Sequence, residues 1–319
     1  MVGKLAVVAV GGNSLISDPR RPDIDSQWDA VRETCRNIAA MIAAGWSVTL
    51  THGNGPQVGT NMQRFEIAQR HGLYEVPLDL LVAHTQASIG YMLQQALDSA
   101  LRRHGINRTI VTVVTQTTVD AADRAFANPD KPVGGFMSEA EARQRQAEGW
   151  TVREDAGRGW RRVVPSPLPL VLQETNAIRM LVINDYIVIA AGGGGVPVVR
   201  NSQGDLRGVR AVIDKDRGGS LLARELRADL FIISTGVEKV ALNFNRPDQR
   251  DLDLLTVAEA ERYRDEGHFA PGSMLPKIEA CLDFIRHGGP EAIITNPPNL
   301  ARALHGEAGT RILPAPLPA

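Results

Sequence analysis

Tyr186-Ile187-Val188-Ile189-Ala190-Ala191 runs straight into Gly192-Gly193-Gly194-Gly195, and the reading of this stretch decides the fold class. The apolar run is short and continuous, as a strand covered on both faces by helices is. Four consecutive glycines have no use inside a strand or helix, where each costs about 0.5–1 kcal/mol relative to alanine. They suit a backbone that turns sharply and comes close to a charged ligand, because no side chain holds phosphate oxygens away from the N–H donors.

The same device occurs twice more. Leu5-Ala6-Val7-Val8-Ala9-Val10 leads into Gly11-Gly12-Asn13, and Trp46-Ser47-Val48-Thr49-Leu50-Thr51 leads into His52-Gly53-Asn54-Gly55. Any one glycine set is equally well a tight turn. Three of them closing three apolar runs point to a shared anion site, and ligands of parallel sheets sit at the carboxyl ends of the strands. None of the sets fits the P-loop or the dinucleotide-binding pattern. Residues 109–114, 230–233 and 292–295 also read as buried strands, and helical patterns cover 27–44, 78–104, 220–227 and 277–287. Alternating strands and helices over this length predict an α/β sandwich with a mainly parallel central sheet.

The 319 residues suffice for a large core in a two-lobed unit, and a net charge of −1 leaves no basic excess for nucleic acid or an anionic membrane. No apolar run approaches the roughly 20 residues of a membrane helix. Two cysteines, Cys35 and Cys281, exclude a disulfide framework, and no secretory leader is evident, so a cytoplasmic protein acting on small molecules is expected. Cys35 lies in a helical apolar pattern and reads as a core thiol. His52 and His268 have no partner at metal-ligand spacing, so no protein-bound metal is expected. No G-x-S-x-G is present to support a hydrolase.

Residues 118–168 break the rhythm, being rich in charge, glycine and proline. They read as a mobile surface loop or as a lid made positive by Lys131, Arg158, Arg161 and Arg162. Within them Ser138, with Glu141 three residues on, predicts a short capped helix. A second composition change at 200–208 suggests a hinge or hairpin between lobes. The proline-rich end, 313–319, has no assignable chemistry.

Two segments carry candidate chemistry. Val212-Ile213-Asp214-Lys215-Asp216 sets a lysine between carboxylates at the end of an apolar stretch, with Arg217-Gly218-Gly219-Ser220 opening a helix. It is either an exposed salt-bridged turn or a phosphoryl-transfer element, in which Lys215 neutralises developing charge and Asp214 holds lysines in place. Lys277 follows a loop, 268–276, at a helix start, where it is either a surface lysine or a ligand of nucleotide phosphate.

Taken together, Gly11-Gly12-Asn13, HGNGPQVG at 52–59, Lys131-Pro132, EDAGRGWR at 154–161, Gly192–Gly195, 211–216 and GSMLPK at 272–277 resemble carbamate kinases of the amino acid kinase family over nearly the whole chain. The resemblance implies an open αβα sandwich of two lobes: 1–200 binding carbamate or carbamoyl phosphate, with a protruding lid at about 118–168, and 201–319 binding nucleotide. It implies reversible phosphoryl transfer between ATP and carbamate, Mg2+ held through the nucleotide phosphates, and a homodimer. Lys131, Asp214, Lys215 and Lys277 would be catalytic. Gly11, Gly12, Asn13, Gly53, Asn54, Gly55, Gly193 and Gly194 would surround substrate, and Thr235, Val237 and Met274, with Lys215 and Lys277, the nucleotide. Ala9 stands where other members of the superfamily carry a lysine, and Lys131 would supply that charge. Gly135, Gly218-Gly219 and Glu238 depart from the expected pattern. A kinase for another small carboxylate and a nucleotide-binding regulator without turnover are the alternatives.

Overall fold

Strand β1 (Leu5–Val10) lies in the middle of an eight-stranded sheet. On one side follow β2 (Ser47–His52), β9 (Ile187–Ile189) and β3 (Ile110–Thr112); on the other β12 (Leu230–Ser234), β16 (Ala292–Thr295), β17 (Thr310–Leu313) and β15 (Leu254–Thr256). The computed structural model describes residues 3–12, 23–155 and 159–315. Every neighbouring pair in the sheet is parallel except β16 with β17. The three expected glycine turns therefore leave three adjacent strands, β1, β2 and β9, at one edge of the sheet.

Two cores follow from the alternation of side chains along each strand. Leu5, Val7 and Ala9 enter one core with Phe231 and Ile233, while Ala6, Val8 and Val10 enter the other with Leu230 and Ile232. Helices α1 (Ile24–Ala43), α3 (Leu78–Arg103) and α9 (Leu300–Ala303) cover the second core; α5 (Thr175–Ile183), α6 (Lys215–Leu226), α7 (Val257–Asp265) and α8 (Met274–Arg286) cover the first. Burying a side chain such as Phe231 contributes roughly 1.5–3 kcal/mol, so double-sided burial accounts for the continuous apolar runs. Cys35 and Cys281 are packed inside these cores.

The excursion leaves and re-enters the body at one place. Strand β4 (Gln116–Thr118) pairs antiparallel with β8 (Val171–Leu172), Thr117 opposite Leu172, and parallel with β10 (Val196–Arg200). Strand β10 turns into β11 (Leu206–Gly208), so the segment at 200–208 is a hairpin; Asn201 Oδ1 accepts from the N–H groups of Gln203 (2.9 Å) and Asp205 (2.8 Å) in its turn. Between β4 and β8 the chain builds a subdomain of three antiparallel strands, β5 (Lys131–Met137), β7 (Trp160–Val164) and β6 (Val152–Glu154), with helix α4 (Glu139–Ala147). Ser138 caps α4 as expected, accepting from Glu141 N at 3.2 Å. The subdomain rests on α2 (Gln57–Arg70), where a Cβ on Gly59 would lie 2.4 Å from Gly134 Cα; only glycine allows this backbone contact.

Three helices start earlier than expected, α1 among them, at Ile24 and not at 27. Helix α6 starts at Lys215 and not at 220, and α8 at Met274 and not at 277. Gly218 lies inside α6 because the helix packs on the glycine run, where a Cβ would meet Gly194 Cα at 2.6 Å; Gly219 faces Phe231 and Thr51, where a Cβ would lie 3.2 Å from each. Strands β13 (Val240–Leu242) and β14 (Arg250–Leu252) form a separate hairpin.

Candidate active site

A cavity of about 790 Å³ opens at the carboxyl ends of β1 and β2, between the glycine turns, the start of α6, the start of α8 and strand β5 of the subdomain. Its floor is glycine and its cations come from three distant segments. Lys131 reaches in from β5, Lys215 from the first residue of α6 and Lys277 from the first turn of α8.

Asp214 is the N-cap of α6, and its Oδ1 accepts from the N–H groups of Asp216 (2.9 Å) and Arg217 (3.4 Å). This bond satisfies donors a helix start leaves open and pins the carboxylate in the first turn, where the helix dipole favours it. Its other oxygen, Oδ2, accepts from Lys131 Nζ. Asp216, 2% exposed, bridges the other two lysines: Lys215 Nζ is 2.5 Å from Oδ1 and Lys277 Nζ 3.1 Å from Oδ2. Lys277 also donates to the carbonyl of Ser273 at 3.3 Å. Burial by itself would raise the Asp214 carboxyl, but the charges of Lys131 and Lys215 outweigh it and hold the group well below the usual carboxylate range. Burial pushes the Lys215 ammonium below its ordinary value, helped by the charge of Lys277 and opposed by Asp216.

Three ammonium groups thus face two carboxylates, one positive charge in excess; Arg161, which also lines the cavity, is paired with Asp155 at 3.3 Å. A phosphate-sized anion entering here would meet cations already gathered. The expected division of labour needs one correction. Asp214 bonds the subdomain lysine Lys131 alone, while the role of holding Lys215 and Lys277 together falls to Asp216.

Gly12, Gly53, Asn54, Gly55 and Gly193 line the cavity; Asn13 and Arg158 lie outside the described residues. Gly11 and Gly194 sit just beneath, and the N–H groups of Gly11, Gly53 and Gly194 are spent inside the fold, on Ser234 O (3.0 Å), Val10 O (3.1 Å) and Ala191 O (3.0 Å). Those three glycines therefore give closeness and not donors. Asn54 is buried with its Oδ1 accepting from Thr85 Oγ1 at 2.7 Å. Thr235 and Val237 follow β12, half-buried, and Thr235 N donates to Thr295 O at 2.7 Å; Met274 packs on the core under α8. None of these three is among the residues lining the cavity.

Arg161 and Arg162, foreseen together as lid charge, part company. Arg161 Nη2 donates to Gly134 O at 2.9 Å and its guanidinium lies over Phe136, on the cavity side. Arg162 pairs with Glu66 of α2 at 3.3 Å and stacks on Trp150, in a neighbouring cleft.

His52, 1% exposed, accepts no solvent; its Nδ1 lies 2.8 Å from Gly53 O, and burial lowers its pKa to about 4. The ring is therefore neutral in the folded protein at neutral pH. Unfolded, it would take up a proton near pH 6.5, so the unfolded state binds more protons between pH 6.5 and 4 and stability falls as pH falls through that window. Chemical denaturation is expected to show a loss of about 3 kcal/mol across it from this residue, absent in His52→Gln.

The chain matches the model of the amino acid kinase family over residues 4–296. It is 50% identical over 313 residues to the carbamate kinase-like protein YahI of Escherichia coli (strain K12), covering 97% of this chain and 99% of that one. It is 47% identical to the carbamate kinase of Pyrococcus horikoshii, covering 97% and 98%. Among solved structures, carbamate kinase from Giardia lamblia bound to AMP-PNP superposes with a TM-score of 0.90 at 42% identity, covering 98% of each chain.

Proposed function

The chain belongs to the amino acid kinase family, and from that premise we propose that it transfers a phosphoryl group reversibly between ATP and carbamate, giving ADP and carbamoyl phosphate. It is a carbamate kinase in this reading, and the observation that carries it is the meeting of Lys131, Lys215 and Lys277 over a glycine floor. Full-length likeness to proteins named carbamate kinase supports the substrate.

The reaction has little covalent chemistry for side chains to perform; positioning and charge do the work. An oxygen of carbamate and the β-phosphate oxygen of ADP compete in line for one phosphoryl group. Lys215 and Lys277, held by Asp216, face the group in transfer and the nucleotide phosphates. Lys131 crosses from the subdomain and, once released by Asp214, faces the carbamate end. Among the glycine-turn residues, Gly12, Gly53, Asn54, Gly55 and Gly193 line the cavity and would surround the substrate. Residues 1–200 serve carbamate and 201–319 nucleotide, with the subdomain as lid. Thr235, Val237 and Met274 would stand beside the nucleotide beyond the phosphates.

Magnesium would enter on the nucleotide, neutralising phosphate charge. The donor set fits that arrangement: Asp214 and Asp216 are engaged by lysines, and among the described residues no three His, Cys, Asp or Glu side chains gather to hold a metal. No described helix is long and apolar enough to cross a membrane; a cytoplasmic homodimer completes the proposal.

A donor panel tests the substrate. ADP offered carbamoyl phosphate, acetyl phosphate and an acyl phosphate of an amino acid should be phosphorylated fastest by the first. Preference for either of the others would assign a different small carboxylate, and tight ADP binding with no transfer from any would assign a regulator.

A further inference from the structure

The glycine run is held by more than its own turn bonds, Gly194 N to Ala191 O and Gly195 N to Gly192 O at 3.0 Å each. Ala191, which opens it, has φ 52° and ψ 32°, a left-handed conformation that costs a non-glycine residue of order 1 kcal/mol and persists only where surrounding contacts impose it. The side chains among those contacts are all 0–1% exposed. Thr51 Oγ1 donates to Ala191 O at 2.9 Å, and Ala191 N donates to Thr115 Oγ1 at 2.9 Å. At the far end of the run Thr117 Oγ1 donates to Gly194 O at 2.9 Å.

Thr115 is in turn fixed by its hydroxyl, which donates to Val113 O at 2.9 Å, and along its backbone by a residue of α3. Gln86, on α3, uses both ends of its amide on the Thr115 backbone: Oε1 accepts from Thr115 N at 2.8 Å and Nε2 donates to Thr115 O at 3.0 Å. The pair copies the two-bond exchange of an antiparallel ladder, and Thr115 O also accepts from Val196 N, just past the run, at 2.8 Å. The residue before Gln86, Thr85, holds Asn54 by its Oδ1, which packs directly on Gly193: a Cβ there would lie 2.0 Å from it. One turn of α3 thus sets two walls of the cavity floor.

We infer that Gln86 is a positioning residue for phosphoryl transfer, placing the run 191–195 through Thr115 without touching substrate. This rests on the carbamate kinase reading for its kinetic readout. A carboxamide is required: the site needs one donor and one acceptor at fixed spacing, which Gln supplies and Met or Glu does not. Misplacing catalytic backbone by about 1 Å can cost about 10²-fold in rate.

The test is Gln86→Met, with Thr115→Val and Thr115→Ser as independent entries to the same network, read by amide hydrogen exchange at residues 190–196 and by steady-state kinetics. Gln86→Met and Thr115→Val should both speed exchange there and raise the KM for carbamoyl phosphate about 10-fold, with the KM for ADP unchanged, and Thr115→Ser should restore wild-type values on both readouts. Unchanged exchange, or faster exchange with unchanged KM for carbamoyl phosphate, would overturn the assignment, as would a loss of thermal stability alone. Should the wild-type protein show no transfer while Gln86→Met still loosens 190–196, the clamp would stand and the substrate reading would fall.

Discussion

Lys215→Ala should lower turnover by about 10²- to 10³-fold, the cost of deleting one transition-state donor in a preorganised site. The lysine is the first residue of α6, its side chain 16% exposed, and its ammonium bonds Asp216, so it contributes to the site and little to the surface. ADP binding should weaken less than turnover falls, because Lys277 remains beside Asp216 to meet the phosphates. Calorimetry with ADP beside a single-turnover assay separates the two. Turnover within a few-fold of wild type would remove Lys215 from the mechanism.

Asp216→Ala should be the most destabilising change in the site. It leaves Lys215 and Lys277 facing each other without the carboxylate both now share. Breaking a buried ion pair by removing one partner costs about 3–5 kcal/mol, a large share of a typical 5–15 kcal/mol of stability. Part of the loss should be recovered by ADP, whose phosphates would replace the missing negative charge, and part by Lys215 giving up its proton, a shift burial already favours. Urea unfolding with and without ADP measures this, with Asp216→Asn as the milder comparison. Equal loss with and without nucleotide would contradict a site built to receive phosphate.

What the sequence made legible and what it hid divide along physical lines. Strands β1, β2 and β9 were readable because burial on both faces leaves a continuous apolar run, and glycine turns at their ends mark one edge of one sheet. The start of α6 was misplaced because Gly218-Gly219 resemble a helix break; the reason for Gly218 is the approach of Gly194, over 20 residues away in the chain and invisible locally, while Gly219 faces Phe231 and Thr51. Lys131 and Asp214 meet across 83 residues, and Lys277 and Asp216 across 61, pairings that no local pattern specifies. Asp216 nonetheless had a signal: a carboxylate in the first turn of a helix, next to a lysine assigned to catalysis. The parting of Arg161 from Arg162 follows from strand alternation, which sends adjacent residues of β7 to opposite faces. Strand β15 at the sheet edge and β17 beside it, three and four residues long, are too short for a period to show.

The most direct test mixes the purified protein with carbamoyl phosphate, ADP and magnesium and follows ATP through a coupled reaction, a direction that avoids supplying unstable carbamate. Rapid ATP formation, lost in Lys215→Ala, is the predicted result. No ATP from a folded protein that still binds ADP would contradict the assignment.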